Sequence, residues 1–377
     1  MVALWALCIA DPDPAFYFYV DFKESTETMS ELCDLTATQL RQMIGRKDIS
    51  PVELVDACIE RVEMVDPQLN AMVTKSYERA RAEARDAEKS VLDGDELGLL
   101  HGLPVGIKDL DATAGIRTTS GSQLYADHIP TQDQGVVVNI RGAGGIILGK
   151  TNTPEFGAGA NTRNLVFGAT GNPFDPVKTC GGSSGGSAVA LATGMVPLAS
   201  GSDYGGSLRT PASFCGVVGI RPSPGVVAAE GNPVGLLPFS VLGPMGRTVD
   251  DAYLLLQAQA GPNPYDPFAT SPIDELHAQL EMADLGSIRA MLTPDLGMAA
   301  MSGAYRNIFA ERTGLFRHHF AAAIDASPDF TDGDNCFEVL RGVNFVAAHG
   351  GRVRFHRDRL SPNVVDNVDR GLAYSLA

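Results

Sequence analysis

The sequence lacks several things that would have settled its class early. No apolar run approaches the roughly 20 residues of a membrane-spanning helix. Six cysteines, at 8, 33, 58, 180, 215 and 336, form no CxxC pair. That excludes a zinc ribbon and a disulfide-rich secreted scaffold and fits free thiols in a reducing compartment. There is no HExxH, and His318 and His319 are neighbours that point to opposite sides of any helix, so they cannot chelate as an i, i+4 pair. Basic residues are in deficit: Lys plus Arg is 29 against 45 Asp plus Glu, a net charge of −16. Bulk-charge binding to DNA, RNA or an anionic membrane is therefore not expected. The start from Val2 to Ala10 is apolar, but no basic stretch precedes it and no small-residue cleavage site follows, so it does not read as a signal peptide.

What is present belongs to a globular chain. Apolar residues make up 44 % of 377, enough for a sizeable core, and charged residues 20 %, too few for wholesale disorder. Residues 1–28, with the lone Trp5 and a Phe16-to-Phe22 aromatic cluster, show no periodicity and read as an atypical extension before a start at Met29. Thr36 to Gln39 and Ser50 to Glu53 are capping boxes that open two amphipathic helices, and residues 75–91 read as a third. Strands are expected at Leu103 to Ile107, Ile146 to Leu148, Val196 to Ala199 and Val217 to Ile220. Helices are expected at Val136 to Arg141, Ser187 to Thr193 and 249–260, with a long loop over 157–187, another over 200–215, and helical pattern again after the Pro-rich stretch past 262. The alternation argues an α/β fold with 29–377 as one domain, since neither repeat nor linker divides it.

Two motifs are decoys. Gly144 to Thr151 fits G-x4-G-K-[ST], but Ile146, Ile147 and Leu148 want burial in a strand, and Asn152-Thr153-Pro154 follows where a helix is needed. Gly181 to Gly185 fits G-x-S-x-G, yet the turn-rich Asn172 to Pro176 precedes it instead of a strand. None of the seven histidines sits in a local motif, and all read as surface or partly buried polar residues.

The specific signal is two glycine-serine loops and one lysine. Gly181-Gly-Ser-Ser-Gly-Gly-Ser187 is followed by Gly201-Ser-Asp-Tyr-Gly-Gly-Ser-Leu-Arg209. Flexible linkers of that composition are not flanked by strands and do not carry Asp203 and Arg209. Lys108 follows the buried-looking Val105-Gly-Ile107, which favours a desolvated ammonium over a surface charge. Glycine is 41 of 377, and the excess over the usual ~7 % is concentrated in this middle part.

With Phe214 to Val217, Gly219 to Pro222, Lys150 to Asn152 and Gly168 to Pro173, these loops make the segment from about 102 to 249 resemble the amidase signature family. The resemblance implies a mixed central sheet wrapped by helices and amide hydrolysis, with esters or carbamates as further substrates, without metal or organic cofactor. Carried over by position, it implies Ser207 as nucleophile, Ser183 as bridging serine with a cis peptide, and Lys108 as base. It implies backbone N–H groups of Tyr204, Gly205, Gly206 and Ser207 as oxyanion donors, with Ser184, Asp203 and Arg209 as supports. The expected partner is a small-molecule amide, in the cytoplasm, with a homodimer as the candidate assembly. The alternatives are an inactive relative serving in binding or assembly, or the glutamine-hydrolysing component of an amidotransferase.

The physics of the residues agrees: a serine hydroxyl needs a base in hydrogen-bond reach, and only a neutral lysine can accept its proton. Three positions depart from the family's usual residues. Tyr204 stands where a smaller residue is common, and its ring is expected to shape the acyl pocket; Ser202 and Arg221 replace common Thr and Lys. Family members also usually continue past the point where this sequence stops, with a part that supplies one pocket wall.

Overall fold

Both capping boxes form. In the computed structural model, which describes residues 31–270, 276 and 280–374, the Thr36 hydroxyl accepts from the Gln39 N–H while the Gln39 side chain accepts from the Thr36 N–H, opening α1 (Ala37–Arg46). Ser50 and Glu53 do the same for α2 (Pro51–Leu69), with proline where a helix's first free N–H is not missed. The Asp66 carboxylate then accepts from the N–H groups of Ala71 (2.6 Å) and Met72 (3.0 Å) and turns the chain into β1 (Met72–Lys75). The expected extension over 1–28 lies outside the described residues.

The chain continues through α3 (Tyr77–Asp93), β2 (Pro104–Lys108), α4 (Gly135–Gly142) and β3 (Ile146–Thr151). A short hairpin, β4 (Arg163–Asn164) and β5 (Gly168–Ala169), interrupts the long loop before α5 (Gly185–Ala192). Then come β6 (Leu198–Asp203), α6 (Arg209–Cys215), β7 (Val218–Gly219), β8 (Val241–Gly246) and α7 (Val249–Gln259). The last part comprises β9 (Arg289–Leu292), α8 (Gly303–Phe316), β10 (Ala322–Asp325), α9 (Gly333–His356) and α10 (Pro362–Ala373).

The main sheet has the order β1-β3-β2-β6-β8-β7. β2 runs parallel to β3 and β6, while β1, β8 and β7 pair antiparallel, so the sheet is mixed. β2 and β3 are buried at every residue, as continuous apolar runs in the middle of a covered sheet should be. α5 packs over β2, β3 and β6, α7 covers β8 and α4, and α2 lies against α3. Among the described residues no helix is long and apolar enough to cross a membrane.

Three strand readings need correction. β3 extends through Lys150 to Thr151, so the P-loop letters are a buried strand. β6 runs to Asp203 and α6 starts at Arg209, which shrinks the expected 200–215 loop to residues 204–208. The partner that draws β6 out is β8, in register from Leu198↔Gly246 to Asp203↔Val241. Its sequence, with two glycines and a proline, has poor strand propensity, and tertiary pairing overrides it. The parallel pair β9 and β10 also went unpredicted in a stretch that reads as helical.

α5 approaches the sheet closely because its first two residues are glycines. A Cβ on Gly186 would lie 2.2 Å from the Asn152 nitrogen and 2.8 Å from the Ala71 oxygen, backbone atoms that cannot step aside. Gly186→Ala is therefore expected to destabilise the fold by about 1–3 kcal/mol through overpacking. Denaturant unfolding of variant and wild type, compared at equal m-value, checks this.

Candidate active site

Strand geometry assembles the site. Lys108 ends β2 with no solvent exposure. On the adjacent β6, Ser200 and Ser202 lie two residues apart and so share a face. The Ser200 hydroxyl accepts from the Lys108 backbone N–H at 2.9 Å. The Lys108 Nζ donates to the hydroxyls of Ser183 (2.7 Å), Ser184 (2.8 Å) and Ser202 (2.9 Å). Ser183 follows a cis Gly182–Ser183 peptide, and Ser184 is the residue from which α5 departs. Lys108, Ser183 and Ser184 thus meet as expected, while Ser202, set aside in the sequence as a mild replacement, turns out to hold the amine.

Burial pulls the Lys108 amine down from 10.5 to about 7, against the charges of Asp111 and Asp203, which act to raise it. That shift corresponds to roughly 5 kcal/mol of discrimination against the ammonium. A second lysine, Lys150, is equally buried and is brought to about 8 by burial, opposed by Asp109 and Asp111. Its Nζ donates to the Thr113 hydroxyl (2.7 Å) and to the Asp111 carbonyl. The Asp111 carboxylate accepts from the Ser200 hydroxyl at 2.9 Å. Lys150 is thus a structural cation between acidic residues.

The loop 204–208 is shaped by one carboxylate. Asp203, fully buried in its side chain, accepts from the N–H groups of Gly206 (2.8 Å) and Leu208 (3.2 Å) and pairs with Arg209 (3.0 Å) and Arg221 (3.0 Å). Burial raises its affinity for a proton, but the Arg209 hydrogen bond, the Gly206 N–H and the two guanidinium charges outweigh that and hold it below 3.8. Arg221 is the support the sequence reading missed. Gly206 has φ 113°, a conformation that side chains rarely adopt. Its N–H is committed to Asp203, whereas those of Tyr204, Gly205 and Ser207 meet no backbone or side-chain acceptor among the described residues.

Ser207 lines an open cavity of about 280 Å³ together with Ser183, Ser202 and Tyr204. Its carbonyl accepts from the Ser184 N–H at 3.2 Å, which ties the two serine loops together. Its hydroxyl makes no direct hydrogen bond to that of Ser183.

The far wall comes from α9, whose Arg341, Asn344, Phe345, Ala348 and His349 face the same cavity. His349 is thereby more than the bland polar residue expected. Its ring packs on Phe156 at 4.6 Å, and burial beside Arg352 brings it down to about 4, so it is neutral. The i, i+4 spacing of Phe337, Arg341, Phe345 and His349 was the available signal. α9 and α10 are anchored by buried Val353, Val364 and Val368, and by Glu155, which accepts from the Ser361 N–H and the Ser122 hydroxyl, both at 2.6 Å.

A family model described as Amidase matches residues 53–316. The chain is 36 % identical over 296 residues to an acylamidase of Rhodococcus erythropolis, covering 78 % of this chain and 62 % of that protein. It is 43 % identical over 236 residues to one component of the glutamyl-tRNA(Gln) amidotransferase of Carboxydothermus hydrogenoformans, covering 63 % of this chain and 49 % of the relative. Among solved structures it is similar to a bacterial aryl acylamidase of the amidase signature family, with TM-score 0.80, 27 % identity, and coverage of 91 % of this chain and 74 % of the other. The chain therefore spans 49–62 % of the length of these curated relatives.

Asp203→Asn removes the charge that two arginines and two N–H groups share. A loss of at least about 2 kcal/mol in unfolding free energy is expected at neutral pH. Because the native carboxyl sits below its ordinary value, wild type holds this advantage above pH 3.8 and loses it as pH falls further. Unfolding curves at pH 7 and below pH 3.8 should diverge and then converge.

Proposed function

The chain belongs to the amidase signature family, and we propose that it cleaves a small-molecule carboxylic amide through an acyl-enzyme on Ser207. The observation that carries this reading is the fully buried Lys108, whose Nζ touches the Ser183 hydroxyl at 2.7 Å in the cavity that Ser207 also lines. In the neutral form, Lys108 accepts a proton from Ser183 as Ser183 takes one from Ser207. The freed oxygen attacks the carbonyl carbon, and the proton returns along the same path to the departing amine. Water repeats the sequence on the acyl-enzyme and releases the acid.

The carbonyl oxygen, as it gains charge, is met by the N–H groups of Tyr204, Gly205 and Ser207. Gly206, placed in this set by the family resemblance, gives its N–H to Asp203 at 2.8 Å and so holds the turn that presents the other three. One such donor contributes about 3–4 kcal/mol to the barrier reduction. Substrate closure brings the Ser207 and Ser183 hydroxyls into contact, since catalytic hydrogen bonds often tighten only with ligand bound. The free thiols of Cys33, Cys58, Cys180, Cys215 and Cys336 support a reducing compartment such as the cytoplasm.

The likeness to a component of an amidotransferase supports a second reading, in which the same chemistry liberates amide nitrogen for a partner protein. It predicts glutamine hydrolysis that a co-purifying partner enhances.

A fluorophosphonate probe should label wild type and fail to label Ser207→Ala. Lys108→Ala should lower kcat/KM for a 4-nitroanilide by about 10²–10⁴-fold. Because the neutral amine is the active form, kcat/KM should rise with pH, bend near the Lys108 value of about 7 and stay level above it. A rate indifferent to Lys108, or a profile that falls through pH 7, would overturn the assigned base.

A further inference from the structure

We propose that the substrate of this site carries a carboxylate, held by the Arg341 guanidinium and the Tyr204 hydroxyl; the proposal rests on the hydrolase reading above and specifies its substrate. Both residues line the cavity that holds Ser207. Arg341 is a half-buried cation with no ionic partner among the described residues. Its one hydrogen bond runs from Nε to the Asn367 side chain at 2.7 Å. The remaining guanidinium N–H groups meet no protein acceptor there. Burial lowers its proton affinity, and no carboxylate acts to restore it.

The plane of the guanidinium is held by aromatic rings: Phe345 at 4.6 Å, Phe337 at 5.8 Å and Tyr204 at 5.9 Å. The Tyr204 hydroxyl is buried and has no hydrogen-bond partner among the described residues. The site therefore holds a guanidinium and a hydroxyl with donors that meet no acceptor among the described residues.

Acids of the protein near this wall are already committed. Glu230 accepts from the Gly135 N–H (2.6 Å) and the Asn263 amide (2.7 Å). Asp203 is shared by Arg209 and Arg221. Glu338, on α9 itself, faces Arg370 at 3.7 Å. A partly desolvated cation and an orphaned hydroxyl are unfavourable in the free protein, and a ligand that supplies two acceptor oxygens relieves both. A carboxylate matches the guanidinium fork, and an uncharged aryl group would satisfy the rings but neither set of donors.

The test compares matched amides. Glutaric acid mono-4-nitroanilide is set against pentanoic acid 4-nitroanilide, which places the charge on the acyl side. 4-Acetamidobenzoate is set against acetanilide, which places it on the leaving group. In wild type the ratio of kcat/KM, acid over neutral, should exceed tenfold in one pair. Arg341→Met should bring that ratio near one, Arg341→Lys should keep part of it, and Tyr204→Phe should lower it several-fold. Ratios of one or below in both pairs, or a ratio that survives Arg341→Met, overturn the proposal. Calorimetric binding of glutarate and 4-aminobenzoate to Ser207→Ala separates the two readings. If no anilide is cleaved but either acid binds at least tenfold tighter than to Ser207→Ala/Arg341→Met, the hydrolase reading fails and the carboxylate subsite stands. If no anilide is cleaved and neither acid distinguishes the two proteins, the subsite fails as well.

Discussion

A primary amine whose hold on its proton is weakened by exclusion from water is the constraint around which this structure is organised. Lys108 carries no exposed surface, and its Nζ is surrounded by three serine hydroxyls, each able to donate or accept. Such neighbours solvate a neutral amine without demanding that it be charged. The central place of β2, flanked in parallel by β3 and β6, supplies the depth of burial that a loop-borne lysine would not have. The same pairing brings Ser200 and Ser202 under the lysine, and the glycine-led α5 sets Ser184 and Ser183 above it.

Carboxylates could undo this arrangement, since Asp111 and Asp203 both act to keep Lys108 protonated. Each is instead engaged elsewhere. Asp203 is drawn to Arg209 and Arg221 and to the turn it holds, and Asp111 faces the buried Lys150. Desolvation wins because the acids' charge is largely answered by other cations. The stability contributed by Asp203 and the reactivity proposed for Ser207 are thus linked: one carboxylate shapes the turn that carries Ser207 and keeps its own charge occupied.

The substrate side of the cavity has a different origin. α9 crosses the site with aromatic residues and Arg341 inward, and α10 locks it through buried valines and the Glu155 contact. In the proposed reaction the sheet and its glycine-rich turns supply the chemistry, and a late helix on the opposite wall the selectivity. Tyr204 bridges the two: its backbone lies in the 204–208 turn and its ring packs on Phe337 of α9 at 5.8 Å.

The helices α1 and α2, the strand before Lys108 and the glycine-serine loops were legible because each rests on a local rule: capping boxes, apolar runs, and residue types that only close backbone approach explains. The family resemblance added roles that spacing could not. β8 was hidden because glycines and a proline obscure a strand that only pairing with β6 stabilises. Arg221 and Ser202 stood inside motif segments, but the groups they hold lie elsewhere in the chain; Arg341 and His349 showed only as i, i+4 neighbours on one helix face, with no local mark of the cavity that face covers. Local sequence determined which segments fold and where a serine and a lysine could react. The burial that lowers the lysine's proton affinity, and the wall that would choose a substrate, arise from contacts far apart in the chain, and only the tertiary structure decided them.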